Sequence, residues 1–375
     1  MKKAIRMKPS APPRRILMTT DAVGGVWHYA ATLARELAAA GDTVVLAGVG
    51  PRPSREQCRA AAAFAIIEWV DSPPEWLAAD EADVVGLGAS LAALARRHRA
   101  DLVQVNAPSQ AVGLDVSCPV VAVSHSCAAT WFRAVRGGEV PPDWAWQTER
   151  NRRGFARADI AVAPSRSHAA ALSALYGDLP RLHVVHNAAP LGPRAHGRED
   201  FVLAAGRWWD EGKNARALDA AAARSRWPIL AAGSATGPNG TRHDFREAVG
   251  LGPLRNEDLR WLMARCGVFV SPSIYEPFGL APLEAAASGA PLVLADIPTY
   301  RELWEGAALF FPAGDAAVLG ETLNWLAGDR HARDALADAA FERAQRFTVA
   351  GQAAAMRALY DRAAFTVQPA LSFAE

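Results

Sequence analysis

The sequence predicts an α/β protein built of two Rossmann-like domains that face each other across a cleft. Three observations carry this. The chain has 375 residues, too many for one hydrophobic core. Short apolar runs alternate with helix-length segments, as in a doubly wound parallel sheet. A stretch containing Pro and Gly then interrupts the alternation, which starts again beyond it.

The first cycle opens with Arg14–Thr20 as a buried strand, a Gly24-Gly25 turn, a helix from Trp27 to Ala40 ending at Gly41, and a second strand from Thr43 to Gly48. Further strands are expected at Asp101–Val105, Pro119–Ser124, Ile160–Ala163 and His183–His186. Ala188–Arg194 reads as a linker. The second cycle runs through Phe201–Ala205, Pro228–Ala232, Val268–Ser271 and Pro291–Ala295, and Ala350–Ala364 reads as an amphipathic closing helix. The expected organisation is a basic flexible leader (1–14), an N-terminal acceptor-side domain (15–190), a C-terminal donor-side domain (191–349), and a terminal helix and tail (350–375) that packs back on the first domain. The end of that tail, from Thr366, reads as loose.

Composition narrows the function. Apolar residues are 51% and charged residues 21%, an ordinary globular balance, and the formal charge of +1 gives no basic excess for a nucleic-acid partner. Four cysteines without a C-x-x-C pair indicate neither a zinc site nor a disulfide framework, so a reducing, cytoplasmic setting is expected. No apolar run reaches membrane-spanning length, and Met1–Arg15 lacks the apolar core of a signal peptide. Lys2, Lys3, Arg6, Lys8, Arg14 and Arg15 stand there without an acid, which raises weak peripheral contact with an anionic membrane as an expectation beside that of a plain tail. Asn239-Gly240-Thr241 has the form of a glycosylation sequon but reads as a turn.

The chemistry concentrates in Ser271–Gly289, SPSIYEPFGLAPLEAAASG, which leads from an apolar strand into a helix. Phe278, Gly279 and Leu280 should present free backbone amides at the helix start, where Pro282 costs no hydrogen bond, and such an end attracts phosphate. Glu284 falls about one turn further in, set back from the phosphate by roughly the length of a ribose whose hydroxyls it would accept. Glu276, before the turn, is placed to accept from hydroxyls of a sugar on the distal phosphate.

With these segments the chain resembles glycosyltransferase family 4, retaining enzymes of the GT-B fold. The resemblance covers nearly the whole chain: TTDAVGGVW at Thr19–Trp27, VSHS at Val123–Ser126, VVHN at Val184–Asn187, AAGRWWDEGKN at Ala204–Asn214, and the EPFG segment. It implies that Arg207 and Lys213 neutralise the donor diphosphate, one as a bidentate guanidinium and one as a point charge. It implies that Gly24 and Gly25 let backbone approach the phosphate from the opposite domain, and that His125 contacts the donor sugar and supports developing positive charge. His125, Glu276, Arg207 and Lys213 are thus the catalytic candidates. Gly24, Gly25, Phe278, Gly279, Leu280 and Glu284 join Arg207, Lys213 and Glu276 as donor-binding candidates.

The partners implied are a nucleotide diphosphate sugar and a hydroxyl acceptor, whether glycan, lipid-linked or small molecule. No D-x-D tripeptide occurs, so no metal and no cofactor are expected, with Lys and Arg taking the metal's place. Trp131, Trp144 and Trp146 either stack on the acceptor or pack as large apolar side chains. Trp208 and Trp209 depart from the residues usual after the family's G-R, which opens the question of donor preference. Asn187 is followed by Ala188 rather than by the usual G-V-D, so no acid is carried over there. The alternative functions on the same fold are a nucleotide-sugar 2-epimerase, a sugar phosphorylase, and a non-catalytic nucleotide-sugar-binding protein.

Overall fold

The computed structural model describes residues 12–191, 194, 197–238 and 240–367. Lys2, Lys3, Arg6 and Lys8 of the leader, Gly192 and Pro193 of the linker, Asn239 of the sequon and residues 368–375 of the tail lie outside the described residues.

Two parallel sheets make up the molecule. The first holds β1 (Arg15–Asp21), β2 (Thr43–Val49), β3 (Ile66–Trp69), β4 (Leu102–Val105), β5 (Val120–Val123), β6 (Ile160–Ala163) and β7 (Leu182–Val184), in the order β3-β2-β1-β4-β5-β6-β7. The second holds β8 (Glu199–Ala205), β9 (Ile229–Ala232), β10 (Val249–Gly252), β11 (Cys266–Ser271), β12 (Leu292–Ala295) and β13 (Leu309–Phe311), in the order β10-β9-β8-β11-β12-β13. All pairings between neighbours are parallel, beginning with Arg15 opposite Thr43 in the first sheet and including Val202 opposite Ile229 in the second. Central strands such as LVQV, VVAV, IAVA and LVLA are buried at every residue. Helices cover both faces, which is why these strands read as unbroken apolar runs rather than alternating ones.

Each sheet reverses its winding once, between β1 and β4 in the first and between β8 and β11 in the second. Ligands of open parallel sheets bind in the crevice at the carboxyl ends of the strands flanking such a reversal. This places the segments after β1, β4 and β5 opposite those after β8 and β11.

The helix Val349–Val367 leaves the second domain and returns to the first. Its Met356, Tyr360 and Ala363 are fully buried in one cluster with Leu33 and Leu37 of the helix Gly25–Ala39. The Tyr360 hydroxyl donates to Gln104 Oε1 at 2.5 Å, and Arg357 pairs with the buried Asp42 at 3.0 Å. Arg14 differs from its assignment to a flexible leader. Its backbone N–H donates to Asp42 Oδ1 at 3.0 Å and its guanidinium pairs with Asp361, so Arg14 is held by the fold just before β1. Met356→Ala is expected to lower stability by about 2–5 kcal/mol, as large-to-small changes at closed core sites do, read by urea unfolding. A loss below about 1 kcal/mol would show that the returning helix is peripheral to that core.

Candidate active site

The turn after β1 reaches across to the second domain. Gly24, at φ +126°, starts the helix Gly25–Ala39 with no side-chain cap, so the first amides of that helix are left for an outside acceptor. A Cβ added to Gly24 would sit 3.8 Å from Arg207 Nη1, and one on Gly25 the same distance from Leu280 Cδ1. The glycine pair of the first domain therefore faces the cation and the helix start of the second. Asp21 lies in the same turn, where it accepts from the Val23 N–H at 2.8 Å. Burial raises its pKa, against that hydrogen bond and the nearby Arg207, which lower it.

Arg207 and Lys213 follow β8, and Glu276 follows β11, so the strands on either side of the second reversal deliver all three. Lys213 pairs directly with the Glu276 carboxylate, and both side chains are mostly covered. Arg207 is half exposed, 3.4 Å from Asp210 Oδ2, with its guanidinium 5.5 Å over the Trp209 ring. Gly279, at φ +93°, begins the helix Leu280–Ala287, again with no side-chain cap. Any Cβ there would meet Tyr300 Cε1 at 2.9 Å, so both the backbone angle and the space select glycine. Phe278 is buried against Phe347 and His186 and anchors the turn.

Glu284 lines a small cavity of about 40 Å³ between the domains, with His28 and Tyr29 on one side and Asn256, Arg260 and Leu280 on the other. Burial pushes its carboxyl up to about 7, against the pull of Arg260.

His125 follows β5. The Asn106 amide donates to Thr19 O at 2.5 Å, so its Oδ1 must be the atom that faces Gln104 Nε2 at 3.0 Å and His125 Nε2 at 3.1 Å. That oxygen can only accept, hence His125 carries its proton on Nε2 and keeps Nδ1 as an acceptor. Burial, with His168 nearby, lowers its pKa to about 3, so the ring is neutral at neutral pH. Tyr29 packs edge-on against it at 4.3 Å.

Of the three tryptophans read as either stacking on the acceptor or packing, Trp131 reaches the other domain. Its indole N–H donates to Asp210 Oδ1 at 2.9 Å, and its ring packs edge-on against Phe132. Trp144 is exposed and packs edge-on against Phe132, and Trp146 is half-buried in the next helix. Trp208 points inward, donating to Ala232 O at 2.9 Å, while Trp209 stacks on Trp76 of the first domain at 6.4 Å.

Several residues here were not found by sequence reasoning. Glu302 of the second domain accepts from the Arg166 and Ser167 N–H groups at 2.9 and 2.7 Å and from the Ser167 hydroxyl at 2.7 Å, all on the first domain. Although burial pushes its pKa up, these donors and His186 hold it below the ordinary value. Thr130 meets the Tyr275 hydroxyl at 2.8 Å, and Ser165 donates to Pro277 O at 2.6 Å. Among the described residues no three His, Cys, Asp or Glu side chains group as a metal site, and no helix is long and apolar enough to cross a membrane.

Two family models match, Glycosyltransferase Family 4 over residues 23–192 and Glycosyl transferases group 1 over residues 248–343. The chain is 29% identical over 153 residues to the lipopolysaccharide core biosynthesis mannosyltransferase LpsB of Rhizobium meliloti, a stretch covering 37% of this chain and 43% of that protein. The match thus spans less than half the length of this curated relative. Among solved structures, sucrose-phosphate synthase from Thermosynechococcus elongatus superposes with a TM-score of 0.76 at 19% identity, over 95% of this chain and 100% of that one. Anabaena HepE in complex with UDP-glucose gives 0.73 at 18% identity, over 93% and 100%. The likeness to these structures is one of fold. With one family model on each domain and the paired parallel sheets between which Gly24 meets Arg207, the matches indicate a glycosyltransferase of the GT-B fold, a family 4 module followed by a group 1 module.

Proposed function

We propose that the chain transfers a sugar, with retained anomeric configuration and without a metal ion, from a nucleoside diphosphate to an acceptor hydroxyl. The observation that carries this is the convergence on one cleft of two uncapped helix starts and two cations, Arg207 and Lys213, beside two acids at different depths. Free amides and cations suit a diphosphate, the inner Glu284 suits ribose hydroxyls, and the outer Glu276 suits the sugar.

In the proposed reaction the bond from the anomeric carbon to the diphosphate oxygen breaks as the acceptor oxygen bonds to the same face. The acceptor proton passes to the departing diphosphate, whose charge Arg207, Lys213 and the amides stabilise. Neutral His125 supplies no proton, and its free Nδ1 accepts from a donor-sugar hydroxyl. A 2-epimerase would need a base at the sugar, and the acid nearest the expected sugar position, Glu276, is occupied by Lys213.

The test is release of nucleoside diphosphate from UDP-, GDP- and ADP-sugars in chelator with a panel of hydroxyl acceptors, followed by NMR of the product anomer. UDP-glucose is the first donor to try because the HepE structure holds it. Activity in chelator with the donor's anomer retained supports the proposal. Inversion, or a requirement for added Mg²⁺ or Mn²⁺, counts against it.

A further inference from the structure

The two proposed phosphate cations sit on one short loop, and the first domain grips that loop at three consecutive residues. Trp76 stacks on Trp209 at 6.4 Å. The Trp131 indole donates to Asp210 Oδ1 at 2.9 Å, and Arg136 reaches Glu211 at 2.6 Å. Asp210 is the centre of the loop's own shape: the same Oδ1 accepts from the Gly212 N–H at 2.9 Å, and Oδ2 lies 3.4 Å from Arg207 Nη2. Gly212 leaves little room behind it, since a Cβ there would meet Trp131 Nε1 at 2.9 Å. The Gly212 carbonyl in turn accepts from the Ile274 N–H at 2.9 Å, two residues before Glu276. From Trp131, then, a continuous path of direct contacts runs through Asp210 to Arg207 on one side and to the turn bearing Lys213 on the other.

We propose that Trp131 is a positioning residue for diphosphate binding: by holding Asp210 from the opposite domain, its indole N–H sets Arg207 and Lys213 in place only when the two domains are docked. The departure from the family at Trp209 acquires a purpose in the same device, because the ring that carries the Arg207 guanidinium is itself held by Trp76. The cavity at Glu284, where the nucleoside part would sit, is lined by none of residues 207–213, so the two ends of the donor should respond differently to the loss of this contact. This rests on the donor site proposed above.

The test compares wild type with Trp131→Phe, which deletes the N–H and keeps a ring against Phe132. Isothermal titration calorimetry would use UDP, GDP and ADP and the corresponding monophosphates, with thermal unfolding as a check on the fold. A hydrogen bond to a charged group is strong enough that its loss should weaken the binding diphosphate about tenfold. The matching monophosphate should change by less than about twofold, and Asp210→Ala should reproduce the pattern without adding to it in the double variant. Equal weakening of monophosphate and diphosphate, or no weakening of either, overturns the positioning role. Failure of the wild type to bind any of the six nucleotides overturns the donor site itself, a different result from a wild type that binds and a variant that binds equally well.

Discussion

Lys213→Ala is expected to lower the rate of sugar transfer by about 10²–10³-fold, the usual cost of removing one group that stabilises charge developing in the transition state. Lys213 pairs with Glu276, and both side chains are largely shielded from water. Loss of the ammonium therefore has two effects. The departing diphosphate loses a counter-charge, and the Glu276 carboxylate, intended for sugar hydroxyls, loses its partner. Arg207→Ala should cost a similar factor, because the guanidinium stands opposite the amide end of the Gly25–Ala39 helix, where the diphosphate is expected to lie. The effect should appear in kcat at saturating donor more than in KM, since the charge builds as the bond breaks. Single-turnover release of nucleoside diphosphate measures it, and an unchanged kcat in both variants would remove the two cations from the chemistry.

Glu284 makes the second large prediction, in pH. Its folded pKa of about 7 stands above the ordinary 4.5, so the folded protein holds this proton more tightly than the unfolded chain. The sign follows: the contribution to stability is fully present below about pH 4.5 and is lost as pH rises through 7, by up to about 1.4 kcal/mol per pH unit between the two values. Binding runs the other way. Ribose hydroxyls donate to the ionised carboxylate, so nucleotide affinity should rise with pH up to about 7, by at most about tenfold per unit, with a proton released on binding below that point. Calorimetry in buffers of different ionisation enthalpy counts that proton. Glu284→Gln should bind more weakly at pH 8 and lose the pH dependence; a variant that keeps it would assign the titration to another group.

Much of this organisation was legible in the chain because the fold writes it locally. Ile160–Ala163 matches β6 residue for residue, and the strands Phe201–Ala205 and Val268–Ser271 end where β8 and β11 end, with β8 and β11 each starting two residues earlier than expected, since buried parallel strands read as short apolar blocks. The strands that escaped notice are β3, β10 and β13, each at a sheet edge and only partly buried, with β10 reading VGLG. Each is only three or four residues long, β13 being LFF and β3 IIEW, too short a run to stand out as a strand from apolar content alone.

The site divides in the same way. Glu276, Gly279 and Glu284 lie within nine residues and announce themselves together. Trp131 and Asp210 are 79 positions apart, and Ser167 and Glu302 are 135 apart. Nothing near Trp131 in the sequence distinguishes an indole facing a sugar from one facing an aspartate, because the choice depends on how the domains dock. Arg14 was unreadable for the same reason: it looks like a free charge until Asp361, 347 positions on, comes back to meet it.

That return has a consequence for how the protein is made. The core beneath the first sheet is missing Met356, Tyr360 and Ala363 until almost the entire second domain has been synthesised. A ribosome therefore releases the first domain with an open apolar flank along Leu33 and Leu37, and only the late arrival of the returning helix seals it. The last helix made belongs to the first core, so splitting the gene at the linker would yield a first half with an unfilled core rather than a free-standing domain.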